Sequence, residues 1–393
     1  TRYRHVTGVQ TCALPILEVT GELGLNRPQV GLRCHARTPR ALLRKAVDAL
    51  AANTASPDFC NDEVIVNALC RAGVSREDAR DFSLSGCHEV IVTGKAQMGS
   101  VEGFINLAKV LRMALGLEPA LLPAVDLGTL TDFEALWARL ETALAVTAAA
   151  AHRVALGRDA QAAAEPGGNL AASLVVADCI ENCRGYAQGG ARYNFCNYDL
   201  IGTANVADSL AAIRQLVYEE EFISLGEFVA ALAADWEGYE LLRQRILNDL
   251  PHFGNEDRTV DELAGRVITR FDAHMKRHTP YRGGCYILGT LAGGENMHIE
   301  FGRITGATPD GRRTGAPLAD SAGAAQGRDR QGLTALLNSV AGLPHHLLPT
   351  ATTLNVKLDP GLLRSEEGRE AVVALIATHF AAGGQQLQFS LVN

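Results

Sequence analysis

Residues 82–115 read FSLSGCHEVIVTGKAQMGSVEGFINLAKVLRMAL, and the change of texture halfway along carries the first structural inference. The front half is rich in Gly and Ser and holds a short β-like piece, Glu89 to Val92, so it reads as an ordered loop over 82–100. The back half, Phe104 to Leu115, repeats apolar residues at helical spacing and reads as a helix. Within the loop, Cys87 and Glu89 lie two positions apart, and residues i and i+2 of an extended segment project the same way. A thiol and a carboxylate on one side of a Gly-supported loop can serve as nucleophile or hydrogen-abstracting sulfur and as base. The competing reading is a buried structural Cys beside a surface Glu. A hydrolase dyad of Cys87 and His88 is disfavoured, because adjacent residues on an extended chain face opposite ways.

Outward from this loop the chain is helix-rich. Thr38 fits an N-cap and Pro39 a first helical position, followed by Leu42, Leu43, Val47 and Leu50 at helical spacing. Asn61 and Ser75 open two further helices, with carboxylates in their first turns. Helical patterns follow near 130–156, 170–182, 205–217, 226–235, 236–248, 259–277, 331–341 and 366–381. The strand-like segments are Cys285 to Thr290, His298 to Ile304, Thr353 to Leu358 and Gln386 to Val392, and Leu17 to Pro39 reads as irregular. Few strands separated by helices make an α/β fold in one continuous domain.

Composition narrows the function classes. The 393 residues are 47% hydrophobic and 20% charged with a net charge of −8, which excludes disorder and, with no Lys/Arg run, a nucleic-acid or anionic-membrane surface. Nine irregularly spaced cysteines do not form a disulfide framework, so a reducing cytoplasm is expected. Cys179, Cys183 and Cys196 lack the paired spacing of a zinc site, and a helix carrying 179 and 183 on one face would use them for packing. Gly94-Lys95 lacks the remaining residues of a P-loop. Ala307-Thr-Pro-Asp-Gly-Arg-Arg is a good turn, and His345-His346 reads as a surface pair. No metal site is expected.

Ordered segments then accumulate: GLRCHARTP (31–39), NDEVIVNAL (61–69), GCHE (86–89) with TGKAQMG (93–99) and NLAKVLRMAL (106–115), and GGARYN (189–194). ANVADSLAAIRQLVYEE (204–220), FGNEDRTVDELA (253–264), GATPDGRRTGAPLADS (306–321), LNVKLDP (354–360) and GGQQLQFSLVN (383–393) complete the series. Together they resemble the glycyl radical enzymes, the superfamily that contains pyruvate formate-lyase, from about Leu17 onward. The resemblance implies part of a ten-stranded α/β barrel, its second half with a Cys finger loop. It implies that Cys87 becomes a thiyl radical and that Glu89 is the base in C–X bond cleavage of the dehydratase or lyase type. The adjacent cysteines of formate acetyl transfer are not present, and His88 stands where Val is common. No bound cofactor is implied; the radical is a backbone glycyl radical installed by an AdoMet-dependent iron–sulfur activating enzyme. The implied partners are a small-molecule substrate, that activating enzyme and a second copy in a homodimer, with no nucleic acid and no membrane.

The resemblance also sets expectations about extent. The first half-barrel is expected to precede Leu17, and the Arg-Val-x-Gly-Tyr segment bearing the radical glycine to follow Asn393, so the glycyl radical domain and its glycine are read as absent and residues 17–393 as a partial catalytic domain. Arg184-Gly185-Tyr186 is a superficial likeness in the wrong place. Residues 1–16, which contain VTGVQTCALPI, resemble the translation of a sequencing adapter. They are expected to be non-native and poorly packed, with no role for Cys12. The alternatives are a formate C-acetyltransferase-type acyl transfer or a non-catalytic α/β binding or structural protein.

Overall fold

The computed structural model describes residues 6–24, 29–52, 56–98, 101–118, 121–165, 169–293 and 296–392. The strands are β1 (Gly31–Cys34), β2 (Asp58–Asn61), β3 (Ser83–Ser85), β4 (Glu89–Ile91), β5 (Ala96–Gln97), β6 (Gly103–Asn106), β7 (Tyr193–Ile201), β8 (Cys285–Gly289), β9 (Thr353–Leu358) and β10 (Gln386–Leu391). One sheet has the order β1-β2-β10-β9, parallel except where β10 meets β2 antiparallel. In the other, β7 is the hub and pairs in parallel with β5, β6 and β8. β3 and β4 form a separate antiparallel hairpin. Parallel pairing needs long crossovers, and the helices supply them.

Each strand shows two unlike faces, as the two-residue period of extended chain requires. Leu32, Phe59, Cys196, Tyr198, Leu200, Tyr286, Leu288, Leu354, Val356, Leu387 and Phe389 join one large apolar core shared with the helices. The alternate positions carry Asp58, Asn197, Asp199, Thr353 and Gln386, all polar and all buried. Burying polar side chains costs free energy unless they are paired or reserved for a ligand. The helix-facing side is therefore the fold's adhesive, and the other side is chemically equipped.

The helices begin where side chains can satisfy their first amides. Asn61 caps Asp62–Arg71, Ser75 caps Arg76–Ala79, Asn106 caps Leu107–Ala114, Asp132 caps the 32-residue helix Phe133–Ala164, and Asp257 caps Arg258–Met275. Helices over Leu225–Ala233, Glu240–Asp249, Leu333–Ala341 and Glu366–Ala381 match their expected places. Among the described residues no helix is long and apolar enough to cross a membrane.

Several expectations are corrected. His298 to Ile304 is the helix Met297–Arg303, not a strand. The expected helix from Phe104 starts only at Leu107, because Gly103–Asn106 is taken up by β6 beside β7. The segment read as irregular contains β1 and the end of the helix Val6–Leu23. Thr38 accepts from His35 N instead of capping, and Pro39 takes the cap position without a side-chain bond. The helix from Leu170 stops at Val175, so Cys179 and Cys183 do not share a helical face; Cys179 is buried and Cys183 exposed. His345 is buried with its ring against the Val340 carbonyl at 2.8 Å, so the two histidines are not a surface pair. Of the segment 1–16, residues 1–5 and the Cys12 side chain lie outside the described residues; Ala13 packs on the core while Leu14 and Ile16 are exposed.

Candidate functional site

The β3–β4 hairpin has three residues at its tip, Gly86, Cys87 and His88, between the paired Ser85 and Glu89. Gly86 (φ 31°) and His88 (φ 80°) both take positive φ, and the His88 amide donates to Ser85 O at 2.7 Å. The tight turn pushes Cys87 outward, where it is exposed. It also turns Glu89 inward to 4% exposure. The Cys87 backbone amide donates to Glu89 Oε2 at 2.9 Å. Thiol and carboxylate thus belong to one turn, joined through the backbone of the thiol's own residue. The final two residues of the predicted 82–100 loop lie outside the described residues.

The hairpin is a plug between the two sheets. Phe82, Val90 and Val92 pack in a second core with Cys60 of β2, Phe195 of β7 and Ile287 of β8. At the root, Arg33 of β1 donates to the Phe82 carbonyl at 2.7 Å and the Arg80 carbonyl at 2.8 Å, and its guanidinium lies 3.8 Å from the Phe82 ring centre. Past the hairpin, Lys95 Nζ meets Asp78 Oδ1 at 2.6 Å, and Tyr193 of β7 donates to Asp78 Oδ2 at 2.7 Å. Burial pushes the Asp78 carboxyl up, but Lys95 and Tyr193 outweigh it and leave the group below the usual range.

The tip is held by polar contacts as well. His88 Nε2 stands 2.5 Å from Asp58 Oδ2, with both side chains buried. Gln29 Nε2 donates to the same Asp58 oxygen at 2.8 Å. Gln386 of β10 donates to the His88 carbonyl at 2.9 Å. His88 is therefore a structural link from the Cys87 turn to β2, which the sequence registered only as an unusual residue between Cys and Glu.

On the opposite sheet, Asp199 of β7 is fully buried. Burial first, and then the Glu89 carboxylate, holds its carboxyl well above the usual carboxylate range; the Leu291 amide offsets part of this. Asp199 was missed by sequence reasoning. A signal was present: in YNFCNYDLI the positions Asn197 and Asp199 alternate with core residues, which marks a polar strand face.

Other singled-out residues serve the frame. Asp310 of the 307–313 turn accepts from Asn205 Nδ2 at 2.7 Å. Arg312 donates to the carbonyls of Thr305, Gly306, Arg313 and Ala316. Cys196 is buried, and burial pushes its thiol up in the same direction as the other core cysteines, so it is inert. Among the described residues no group of three His, Cys, Asp or Glu side chains is placed to hold a metal.

The sequence matches the family described as Pyruvate formate lyase-like over residues 3–300 and the family described as Glycine radical over residues 318–393. The second match corrects the expectation that the glycyl radical domain is absent, and the reading of the chain as a piece without that domain is not upheld. The chain is 33% identical to Probable dehydratase YbiW of Escherichia coli (strain K12), over 98% of this chain and 50% of that protein. It is 29% identical to trans-4-hydroxy-L-proline dehydratase of Clostridioides difficile, over 98% and 49%. The B12-independent glycerol dehydratase of Clostridium butyricum, with glycerol bound, superposes with a TM-score of 0.90 at 28% identity, over 97% of this chain and 48% of that one. The chain spans about half the length of the curated relatives it matches.

Proposed function

This chain belongs to the pyruvate formate lyase-like family, and on that premise we propose that it carries the thiyl-radical step of a dehydratase or C–X lyase. Cys87 is the hydrogen-abstracting thiyl and Glu89 the base. The observation that carries this is the turn itself: an exposed thiol, and an inward carboxylate whose Oε2 is tied to the Cys87 amide at 2.9 Å. The thiyl takes a hydrogen atom from the substrate carbon bearing a hydroxyl, giving Cys87–SH and a carbon radical. Glu89 takes the hydroxyl proton, and the resulting radical anion expels the neighbouring group with its bonding pair. The product radical recovers a hydrogen atom from Cys87, and the sulfur is again a radical. Burial of Glu89 keeps water from competing for that proton.

The same reading supplies the partners. A glycyl radical, installed by an AdoMet-dependent iron–sulfur enzyme, generates the thiyl; the two sheets form part of a ten-stranded barrel, in a homodimer working under anaerobic, cytoplasmic conditions. The test uses the complete gene product, activated anaerobically and offered glycerol, propane-1,2-diol, trans-4-hydroxy-L-proline and isethionate. Cys87→Ser is expected to keep the glycyl EPR doublet and lose turnover entirely. Glu89→Gln is expected to keep the doublet and lose about 10²–10⁴ in kcat. Turnover by Cys87→Ser overturns the assignment.

A further inference from the structure

A single residue, His88, separates the Cys87 thiol from the Glu89 carboxylate, and it is tied down at three points. Its amide donates to Ser85 O at 2.7 Å across the hairpin. Its carbonyl accepts from Gln386 Nε2 at 2.9 Å, and Gln386 Oε1 accepts in turn from Thr353 Oγ1 at 2.9 Å. Its ring nitrogen Nε2 stands 2.5 Å from Asp58 Oδ2. The carbonyl and ring anchors thus come from β2, β10 and β9, neighbouring strands of one sheet. His88, Asp58, Thr353 and Gln386 are all buried.

Of the three points, only the ring contact depends on the side chain being His. Asp58 is a fixed anchor, since its own amide donates to Val30 O at 2.9 Å. Its Oδ2 also accepts from Gln29 Nε2 at 2.8 Å, and Gln29 Nε2 lies 2.7 Å from the His88 ring nitrogen, so the three atoms close a triangle. Asp58 Oδ1 meets no well-aligned hydrogen-bond partner among the described residues. Lone pairs on nitrogen and oxygen cannot face each other at 2.5 Å in a buried site, so a proton lies on the line between them. Hydrogen bonds of this kind to a carboxylate are stronger than neutral ones. Without the ring, Asp58 would keep Gln29 as its remaining side-chain partner.

The backbone makes such anchoring necessary. His88 holds φ at 80°, which is uncommon for a residue with a Cβ and persists where the surroundings fix it. The reaction assigned above asks for the Cys87 sulfur at a substrate C–H bond and the Glu89 carboxylate at the hydroxyl on the same carbon. Both demands are met only while the residue between them keeps its shape, and a displacement of about 1 Å costs about 10²-fold in rate. We propose that His88 is a positioning residue for this reaction: its bond to Asp58 locks the turn and so fixes the spacing of thiol and carboxylate. The catalytic meaning of the lock rests on the radical assignment.

Three variants of the complete gene product test it. His88→Asn keeps a residue that tolerates positive φ but ends short of Asp58, His88→Gln carries a donor about as far out as Nε2, and Asp58→Ala removes the other partner. In the unactivated protein, hydrogen exchange at the Cys87 amide, which is bonded to Glu89, is expected to quicken about 10-fold or more in His88→Asn and Asp58→Ala. His88→Gln is expected to stay near wild type. In the activated enzyme, on whichever of the four compounds above is turned over, His88→Asn is expected to keep the glycyl doublet and a KM within a few-fold of wild type. Its kcat is expected to fall about 10–10²-fold. The isotope effect on kcat for substrate deuterated at the abstracted carbon is expected to rise, which a loss of folded protein would not produce. His88→Gln is expected to recover most of the rate, and His88→Asn with Asp58→Ala to fall no more than about threefold below the poorer single variant. Unchanged Cys87 exchange or undiminished kcat in His88→Asn overturns the inference, as does a double variant whose losses multiply. Turnover by Cys87→Ser instead overturns the radical assignment, while the Cys87 exchange rate still reports the lock by itself.

Discussion

Adding one methyl group at Gly289 asks the two sheets to part. The new Cβ would lie 2.1 Å from Asp199 Oδ1, 2.3 Å from Thr350 Oγ1 and 2.7 Å from the Ala351 carbonyl oxygen, where ordinary contact begins near 3.4 Å. Each must retreat by roughly an ångström. Neither side chain has room to swing out, since Asp199 and Thr350 are 0% and 1% exposed. The carbonyl is held by Thr290 N. Overpacking of this kind costs about 1–3 kcal/mol, and straining the Thr290–Ala351 hydrogen bond adds about 1 kcal/mol. Gly289→Ala is therefore expected to lose about 2–4 kcal/mol, read as a lower urea midpoint at unchanged slope, with Trp137 and Trp236 as fluorescence probes. Asp199→Ala removes the shortest of the three contacts. The double variant should recover about 1 kcal/mol or more relative to additivity. A loss below about 0.5 kcal/mol for Gly289→Ala, or strict additivity with Asp199→Ala, would show that the Asp199 carboxyl does not sit over Gly289.

Three further outcomes follow from the buried titratable groups. Asp199 has a folded-state value raised above its unfolded one, so its contribution is intact below about pH 4 and is lost as pH rises through the raised value. Asp199→Asn does not titrate, so its stability should gain on wild type from pH 4 upward and then run parallel; a gap that does not change with pH refutes this. His345 and His379 are both pushed down to about 4, first by burial. Their stabilisation is present above about pH 6.5 and is lost as pH falls through 4, by about 3 kcal/mol for either site. Replacing His345 with Gln should flatten the acid limb of a stability–pH profile. His88→Ala breaks a buried bond to a carboxylate and should cost about 1.5–3 kcal/mol. Combining it with Asp58→Asn should cost at least about 0.5 kcal/mol less than the two single changes together, and additive losses would separate His88 from Asp58.

Much of this molecule was open to inspection in one dimension. The caps at Asn61 and Ser75 were legible because a capping side chain reaches only two or three residues along the chain. The β8, β9 and β10 segments were legible from short apolar runs between turn residues. The helix Met297–Arg303 was misread because a short apolar run supports either period, and β1 and β6 were missed because four-residue strands acquire their identity from the neighbours they pair with. The two-residue spacing singled out Cys87 and Glu89 as neighbours, but not their directions: the positive φ of Gly86 and His88 turns the thiol outward and the carboxylate inward instead of both the same way.

The partners of that pair were not legible. Asp58 and Gln386 lie far from His88 in sequence and meet it only because β2 and β10 are neighbours in one sheet. Asp199 is buried over Gly289 only because β7 and β8 are neighbours in the other sheet. Local periodicity decides which face of a strand is polar, since side chains alternate on every extended chain. It cannot decide what that face looks at. The sequence alone thus determined the Gly-supported loop of Cys87 and Glu89 and the helix caps at Asn61 and Ser75. The tertiary structure alone decided that the Asp199 carboxyl is buried over Gly289, where loss of water raises it above the usual carboxylate range.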